Sequence, residues 1–445
     1  MKKNTDILNG SLFKNIFLFA LPIAVSSVLQ QLFNAADTAI AGQFGSHDAL
    51  AAVGTNGEIA ALIVSLSAGL SVGANVLIAR YVGKGEKDKI GNAIISSLFI
   101  SIAAGIIITA IGIVAAEPLL ILIKTPSDIL NSAAEYLKVY LLGVPFLLIY
   151  DFGAAILRAK GDSKRPLYAL MLSGAINVLL NLFFVIVCNL NVVGVALATD
   201  ISTAISAFIV LILLSREKGE FRLQFKFCKP ERSHLLTILK IGVPAALQGA
   251  VFCVANIFVQ SAVNQFGSDT VAGSAIAMNY EYITYYIITA FGQAATTFIS
   301  QNYAAKNYDR CRKIVPVCIM YAFLCCAAIT TPVSVFCSGA SSLFSSSDSV
   351  IENSCLRILL ILLFEPICAF FEIPASAMRG YGVSTLPAVQ IIAGICLFRI
   401  AWIFTVFNHF QTLQSLYIAF PISWVITSVI IVITFFAVKR KKLRT

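Results

Sequence analysis

Gln30, Asn34 and Asp37 are spaced four and three residues apart, which places three polar side chains on one face of a helix. The surrounding residues 15–41 are otherwise apolar, so Asp37 carries a charge where hydrocarbon makes it costly. Two later apolar segments hold further oxygen donors: Asn177 and Asn181, four apart and so on one face, and Thr199. One carboxylate with several neutral oxygens suits a hard monovalent cation such as Na+, and in a partly dry pocket the same carboxylate could carry a proton instead. The bland alternative is a hydrogen-bond network that only joins helices, as polar side chains in membranes often do. A charge is an expensive joint, so Asp37 reads as functional, while Asn177, Asn181 and Thr199 taken alone fit either role. Asp200 follows Thr199 directly and points about 100° away on a helix. The two are therefore not assigned to one ion, and Asp200 is left with a helix-joining or cleft-mouth role.

Other ionisable groups inside apolar segments are Asp151, Glu281, Glu365, Glu372 and Arg399. Asp151 and Glu372 stand 221 residues apart, each seven residues before an Arg, and so are candidates to line a cleft and attract cations. Glu365 and Glu372 share a helix face, and Arg399 on the next segment could pair with either, the bland reading of these acids beside a role in binding ion or substrate. The stretch "MNYEYITYY" sets Glu281 among Tyr280, Tyr282, Tyr285 and Tyr286, a combination that suits organic cations and equally an interfacial aromatic belt.

The elements holding these residues follow from composition. A chain of 445 residues with 58% hydrophobic and 12% charged residues belongs in a bilayer. Twelve apolar segments approach or exceed the ~20 residues of a spanning helix: 15–41, 50–79, 92–115, 131–157, 167–188, 193–215, 235–263, 272–302, 313–335, 352–378, 387–407 and 415–438. Few alternate with period two, so the spans are helices. Of 32 Lys and Arg, 28 fall in alternate connections and at the ends, from Lys2 and Lys3 to Arg444. Both termini are thus expected in the cytoplasm. Lys124, Lys138 and Arg357 are read on or near the opposite loops, and Arg399 inside a span. The net charge of +10 reflects topology and anionic lipid, not nucleic acid. The first apolar segment is too long for a signal peptide and is expected to be retained. The eleven cysteines lie mostly in apolar spans and read as small apolar side chains.

"QFGS" occurs at Gln43–Ser46 and again at Gln265–Ser268. At the same offset of 222, Pro22 matches Pro244, Asn34 matches Asn256, Tyr81 matches Tyr303 and Lys84 matches Lys306. At 221, "RAKGDSKRP" matches "RGYGVSTLP" in Arg, Gly, Ser and Pro. Chance likeness of apolar helices does not reproduce loop residues, so the chain is read as a duplication. Six spans per copy give a parallel repeat: an N-terminal lobe 1–215, a linker 216–234 and a C-terminal lobe 235–445. "QFGS" is then the outer turn between the first two helices of each copy, its Gly permitting a tight bend. Two such bundles leave a cleft that rocking exposes to either side, the architecture of a transporter.

The chain resembles the multidrug and toxic compound extrusion (MATE) family. The resemblance rests on "LPIAVSSVLQQLFNAADTAIAGQFG", "LRAKGDSKRP", "NVLLN" and "GVALAT", and it covers essentially the whole chain. It implies an all-α membrane protein of twelve helices in two six-helix bundles. It also implies export of amphipathic, often cationic compounds, driven by inward Na+ or H+. Asp37, Asn177, Asn181 and Thr199 look like that family's N-terminal cation site. Some members that look proton-coupled carry a second acid where this chain has Asn181, which leans the reading toward Na+. Others carry an acid in the seventh span, where Phe252 and Cys253 stand, so no C-terminal ion site is carried over. Candidate substrate residues are Gln30, Asn34, Asp151, Asn256, Tyr280, Glu281 and Glu372. No cofactor is expected beyond the coupling ion, nor any partner beyond substrate and membrane lipid, for a monomer in a prokaryotic plasma membrane. A lipid-linked oligosaccharide flippase is the rival, but it would line its cleft with several basic residues, and only Arg399 is on offer. An enzyme or receptor is disfavoured: three histidines join no metal or nucleophile motif, and no phosphate-binding loop occurs.

Overall fold

The computed structural model describes residues 5–44, 47–123, 125–223 and 229–443. Lys2, Lys3, Gly45, Ser46, Lys124, Arg444 and linker residues 224–228, all used above, lie outside them. Among the described residues twelve helical rods follow one another. The first six are α1 Leu12–Phe44, α2 His47–Lys84, α3 Lys87–Leu122, α4 Leu130–Leu142 continued by Val144–Ala159, α5 Lys164–Val187 and α6 Asn191–Ser215. The second six are α7 Arg232–Val263, α8 Ser268–Ala304, α9 Tyr308–Val335, α10 Asp348–Gly380, α11 Thr385–Phe410 and α12 Leu413–Lys442. Helices satisfy every backbone group internally, which hydrocarbon demands of a spanning element. Ten of the rods are long and apolar enough to cross a membrane, and α4 joins them when its two parts, bent by 43°, count as one. The expected twelfth span is α8, which has the length at 37 residues. Its run of Tyr, Thr, Asn and Gln lowers its apolarity below that of the others.

The duplication is visible in irregularities as well as in helices. Wide π turns occur at Phe183–Val187 in α5 and at Ile392–Leu397 and Ile403–Phe407 in α11. Such turns re-aim side chains and often mark functional stretches. At the second "QFGS", Gly267 takes φ +91° between a short turn and α8, a conformation open to Gly and strained for other residues.

Two compact units emerge, and they are not simply the two halves of the sequence. One comprises 25–246 with the extreme N-terminus, the other 6–24 and 247–445. Both divisions fall inside a helix, two residues beyond the repeated Pro22 and Pro244. Each unit therefore borrows the opening turns of the other copy's first helix. Ile16, Phe19 and Ile23 of α1 are buried in the core of the second unit, where Phe19 packs edge-on against Phe298 at 5.5 Å. In the first unit, α7 lies on α2 through small residues. A Cβ on Gly73 would sit 2.2 Å from the Ile238 carbonyl oxygen, and one on Gly69 would sit 2.4 Å from the Ala246 backbone. Small residues four apart let helix backbones approach where apolar lipid supplies no hydrophobic drive.

Outside the spans, Glu217 after α6 accepts hydrogen bonds from Lys160 at 2.5 Å and from Arg165. Partial burial pushes its carboxyl upward, but these two cations outweigh it and hold the group below the ordinary glutamate value. The ten described cysteines are free thiols.

Replacing Gly73 by Leu is expected to cost about 1–3 kcal/mol by overpacking the α2–α7 contact. It should lower the melting temperature of the purified protein, whereas Gly91→Ala, with nothing within 4 Å of the added Cβ, should not. An unchanged melting temperature for Gly73→Leu would show that this contact is not close-packed in the protein.

Candidate cation and substrate sites

In the first unit Gly174 on α5 has no side chain to keep α1 away, and Phe33 fills the space so closely that a Cβ there would meet its ring at 1.8 Å. One helical turn beyond this contact on each helix, Asp37 meets Asn177 and Asn181. Asn181 Nδ2 donates to Asp37 Oδ1 at 2.6 Å and also lies 3.3 Å from Asn177 Oδ1. From α6, Thr199 Oγ1 reaches Asp37 Oδ2 at 3.1 Å and the Val195 carbonyl at 3.0 Å. Asn177 Nδ2 stands 3.5 Å from Thr199 Oγ1. Asp37 is 6% exposed and makes no ion pair among the described residues, and Asn181 Oδ1 is a buried acceptor with no hydrogen-bond partner. Three helices thus gather one carboxylate and three neutral polar groups. Gln30 is half-buried and Asn34 is exposed on the same helix, and no hydrogen bond joins either to this cluster.

Asp200 turns away from Thr199 toward the α4 bend. Its Oδ1 occupies the space beside Gly143, where a Cβ would come within 2.1 Å. Asp151 on α4 accepts from Ser67 Oγ of α2 at 2.5 Å, a partner that no spacing in the sequence announces.

The acids of the second unit have different company. Glu281 on α8 is gripped at both oxygens by Arg357 of α10, at 2.7 and 2.8 Å, and Arg357 also donates to Ser274 at 2.6 Å. Arg357 is only 4% exposed, so the sequence-based placement on or near a loop is corrected: it lies one helical turn or more inside α10. Glu365 accepts from Thr284. Glu372 receives Arg379 Nη1 and Ser376 Oγ, each at 3.3 Å, while Arg379 Nη2 donates to Gln248 at 2.8 Å.

A pairing of Arg399 with Glu365 or Glu372 is absent among the described residues. Arg399 lies on α11 between its two π turns and faces α12, stacking 3.8 Å above the Phe420 ring and donating Nε to Ser423. Arg399 is not the one buried arginine: Arg357 is buried within α10 and Arg379 at that helix's end.

A cavity opens inside this unit, with Asn256, Glu281, Arg357, Glu365 and Arg399 around an aromatic wall. Tyr280 is not among its walls, because its hydroxyl donates to the Ala340 carbonyl at 3.1 Å and its ring meets Phe344. Sequence reasoning missed Ser67, Gln248, Ser274, Thr284 and Ser376. Each is an ordinary polar residue whose role depends on which helix lies opposite.

A family model described as MatE matches residues 22–183 and again 244–405, two segments whose starts lie 222 residues apart. The chain is 26% identical over 433 residues to the probable multidrug resistance protein YoeA of Bacillus subtilis, covering 95% of this chain and 93% of the relative. It is 26% identical over 402 residues to the probable multidrug resistance protein NorM of Thermotoga maritima, covering 89% and 86%. Among solved structures it superposes on a MOP superfamily transporter from Pyrococcus furiosus with TM-score 0.92, at 23% identity over 100% of this chain and 99% of that one. It also matches an outward-facing multidrug resistance MATE family transporter with TM-score 0.91, at 23% identity and full coverage of both chains. At this identity the structural likeness shows the fold.

Removing one partner of a buried ion pair strands the other. Arg357→Gln should therefore destabilise the protein by about 3–5 kcal/mol, while Arg357→Met combined with Glu281→Leu should recover most of the loss. Melting temperatures of the two variants check this; a double variant no better than the single one would mean that Glu281 is not what the arginine compensates.

Proposed function

The chain belongs to the MatE family, and from that premise we propose that it is an antiporter coupled to Na+ or H+. It exports amphipathic organic compounds, often cationic, across the plasma membrane by alternating access, with both termini in the cytoplasm. The observation that carries the reading is the Asp37 cluster, a buried carboxylate with no cationic partner among the described residues, where α1, α5 and α6 meet.

An unpaired carboxylate in an apolar interior is costly, and a bound Na+ or a proton relieves that cost. Toward Na+ the cluster offers Asp37, the two asparagine carbonyl oxygens and the Thr199 hydroxyl, and the unpartnered Asn181 Oδ1 is an acceptor waiting for a positive charge. Toward a proton, Thr199 is the responsive element, since its single hydroxyl hydrogen serves either Asp37 or the Val195 carbonyl. Protonating Asp37 would turn that hydroxyl to the carbonyl and make the carboxyl the donor. Either event changes how three helices are tied together, and an ion that favours one arrangement must lower affinity for a substrate that favours the other. Asp151 and Asp200, which also make no ion pair among the described residues, are the N-terminal acids available to organic cations.

A lipid-linked oligosaccharide flippase fits less well. It needs free basic groups for phosphates, and Arg357 and Arg379 are spent on Glu281 and Glu372.

In proteoliposomes, efflux of a fluorescent organic cation should follow an imposed Na+ or proton gradient, and Asp37→Asn should abolish gradient-driven efflux, by about a hundredfold or to background. Efflux by Asp37→Asn equal to that of the unaltered protein would sink the proposal.

A further inference from the structure

We propose that the cavity of the second unit binds an aromatic organic anion, with its carboxylate on Arg399 and its ring among the surrounding aromatic side chains. The inference deepens the transport reading by naming a substrate class for this cavity, and it rests on that reading.

Arg399 is 2% exposed, and its Nη2 has no hydrogen-bond partner. Its one hydrogen bond to a side chain runs from Nε to Ser423 at 3.3 Å, and it makes no ion pair among the described residues. The guanidinium plane is held by Phe420 at 3.8 Å, with Trp424 at 5.6 Å and Phe252 at 5.9 Å. Stacking of this kind fixes the orientation of the fork, and in a residue that lines the cavity the unpartnered Nη2 is the nitrogen left to receive a carboxylate.

The other charges lining the cavity make no direct ion pair with it among the described residues. Glu281 is held at both oxygens by Arg357, and Glu365 takes the Thr284 hydroxyl and interacts with Glu281 and Arg357. Both acids lie about Arg357, and Arg399 makes a direct ion pair with neither among the described residues, feeling Glu281 only at longer range. A buried positive charge without a counter-charge is costly in a membrane interior, and an anionic ligand recovers that cost. Phe252, Tyr285, Phe371 and Trp424 supply apolar faces for the body of the ligand. Glu281 is engaged by Arg357, and Glu365, bonded only to the Thr284 hydroxyl, is the acid an organic cation would use instead.

The test is equilibrium binding by calorimetry to the purified full-length protein, without any ion gradient. The probes are naphthalene-2-carboxylate, its neutral amide and naphthalen-2-ylmethylammonium. The carboxylate should bind about tenfold or more tightly than the other two. Arg399→Gln should remove that advantage while changing amide affinity less than about twofold, and Arg399→Lys, which keeps the charge without the fork, should fall between them. Tightest binding by the ammonium probe, or a carboxylate affinity unaltered in both variants, overturns the inference. Because no gradient is applied, carboxylate binding by a protein that fails to transport would contradict the antiporter reading alone. Transport of an organic cation by a protein that ignores the carboxylate would contradict only this inference.

Discussion

Asp37 sits 6% exposed in an apolar interior, and among the described residues no positive side chain pairs with it. In water this would matter little, but in hydrocarbon it is costly unless something cationic or a proton joins it. The surrounding helices look built to hold that situation rather than to remove it. Gly174 admits Phe33, and the contact sets α1 against α5 at the depth where Asp37 meets the two asparagines. Neutral amides and a hydroxyl stabilise the carboxylate part of the way, and a lysine or arginine in their place would satisfy it permanently. On the proposed antiporter reading, leaving it partly satisfied keeps its occupancy responsive to the ion supply.

The two copies of the repeat have kept one fold and diverged in their charges. Asp151 and Glu372 are symmetry mates, each seven residues before an Arg. Yet Asp151 accepts from a serine, while Glu372 is tied to Arg379 and Ser376. Among the described residues, Asp37, Asp151 and Asp200 of the first unit's helices make no ion pair, whereas the second locks Glu281 and Glu372 onto arginines and leaves Glu365 and Arg399 lining a cavity. Duplicated scaffolds permit this division, since helix packing depends on small and apolar residues that both copies retain while the polar positions drift.

Much of this was readable before any coordinates. The spacing of Asn177 and Asn181 and the polar stripe ending at Asp37 are properties of single helices, and the offset of 222 is a property of the chain. Helical periodicity and repeats need no knowledge of neighbours. Contacts between helices do, and there the sequence was less informative. Arg357 stood close enough to polar residues 345–349 to be taken for a loop residue, and its grip on Glu281 depends on how α8 and α10 face one another. Arg399 was a candidate partner of Glu365 or Glu372 by proximity along the chain, but the π turns on both sides of it direct the side chain to α12 instead. The exchange of opening helical turns between the units had no counterpart in the hydrophobic pattern, because α1 and α7 read as unbroken apolar segments across Pro22 and Pro244.

The central claim is that occupancy at Asp37 and affinity for substrate are linked. It is tested most directly by titrating a fluorescent amphipathic probe against the purified protein at several Na+ concentrations and, separately, several pH values, with Asp37→Asn in parallel. The account predicts that one of the two ions weakens probe binding by about 5–150-fold in the unaltered protein, and that the variant holds a single affinity throughout. An affinity that ignores both ions, or an ion effect that survives in Asp37→Asn, would contradict it.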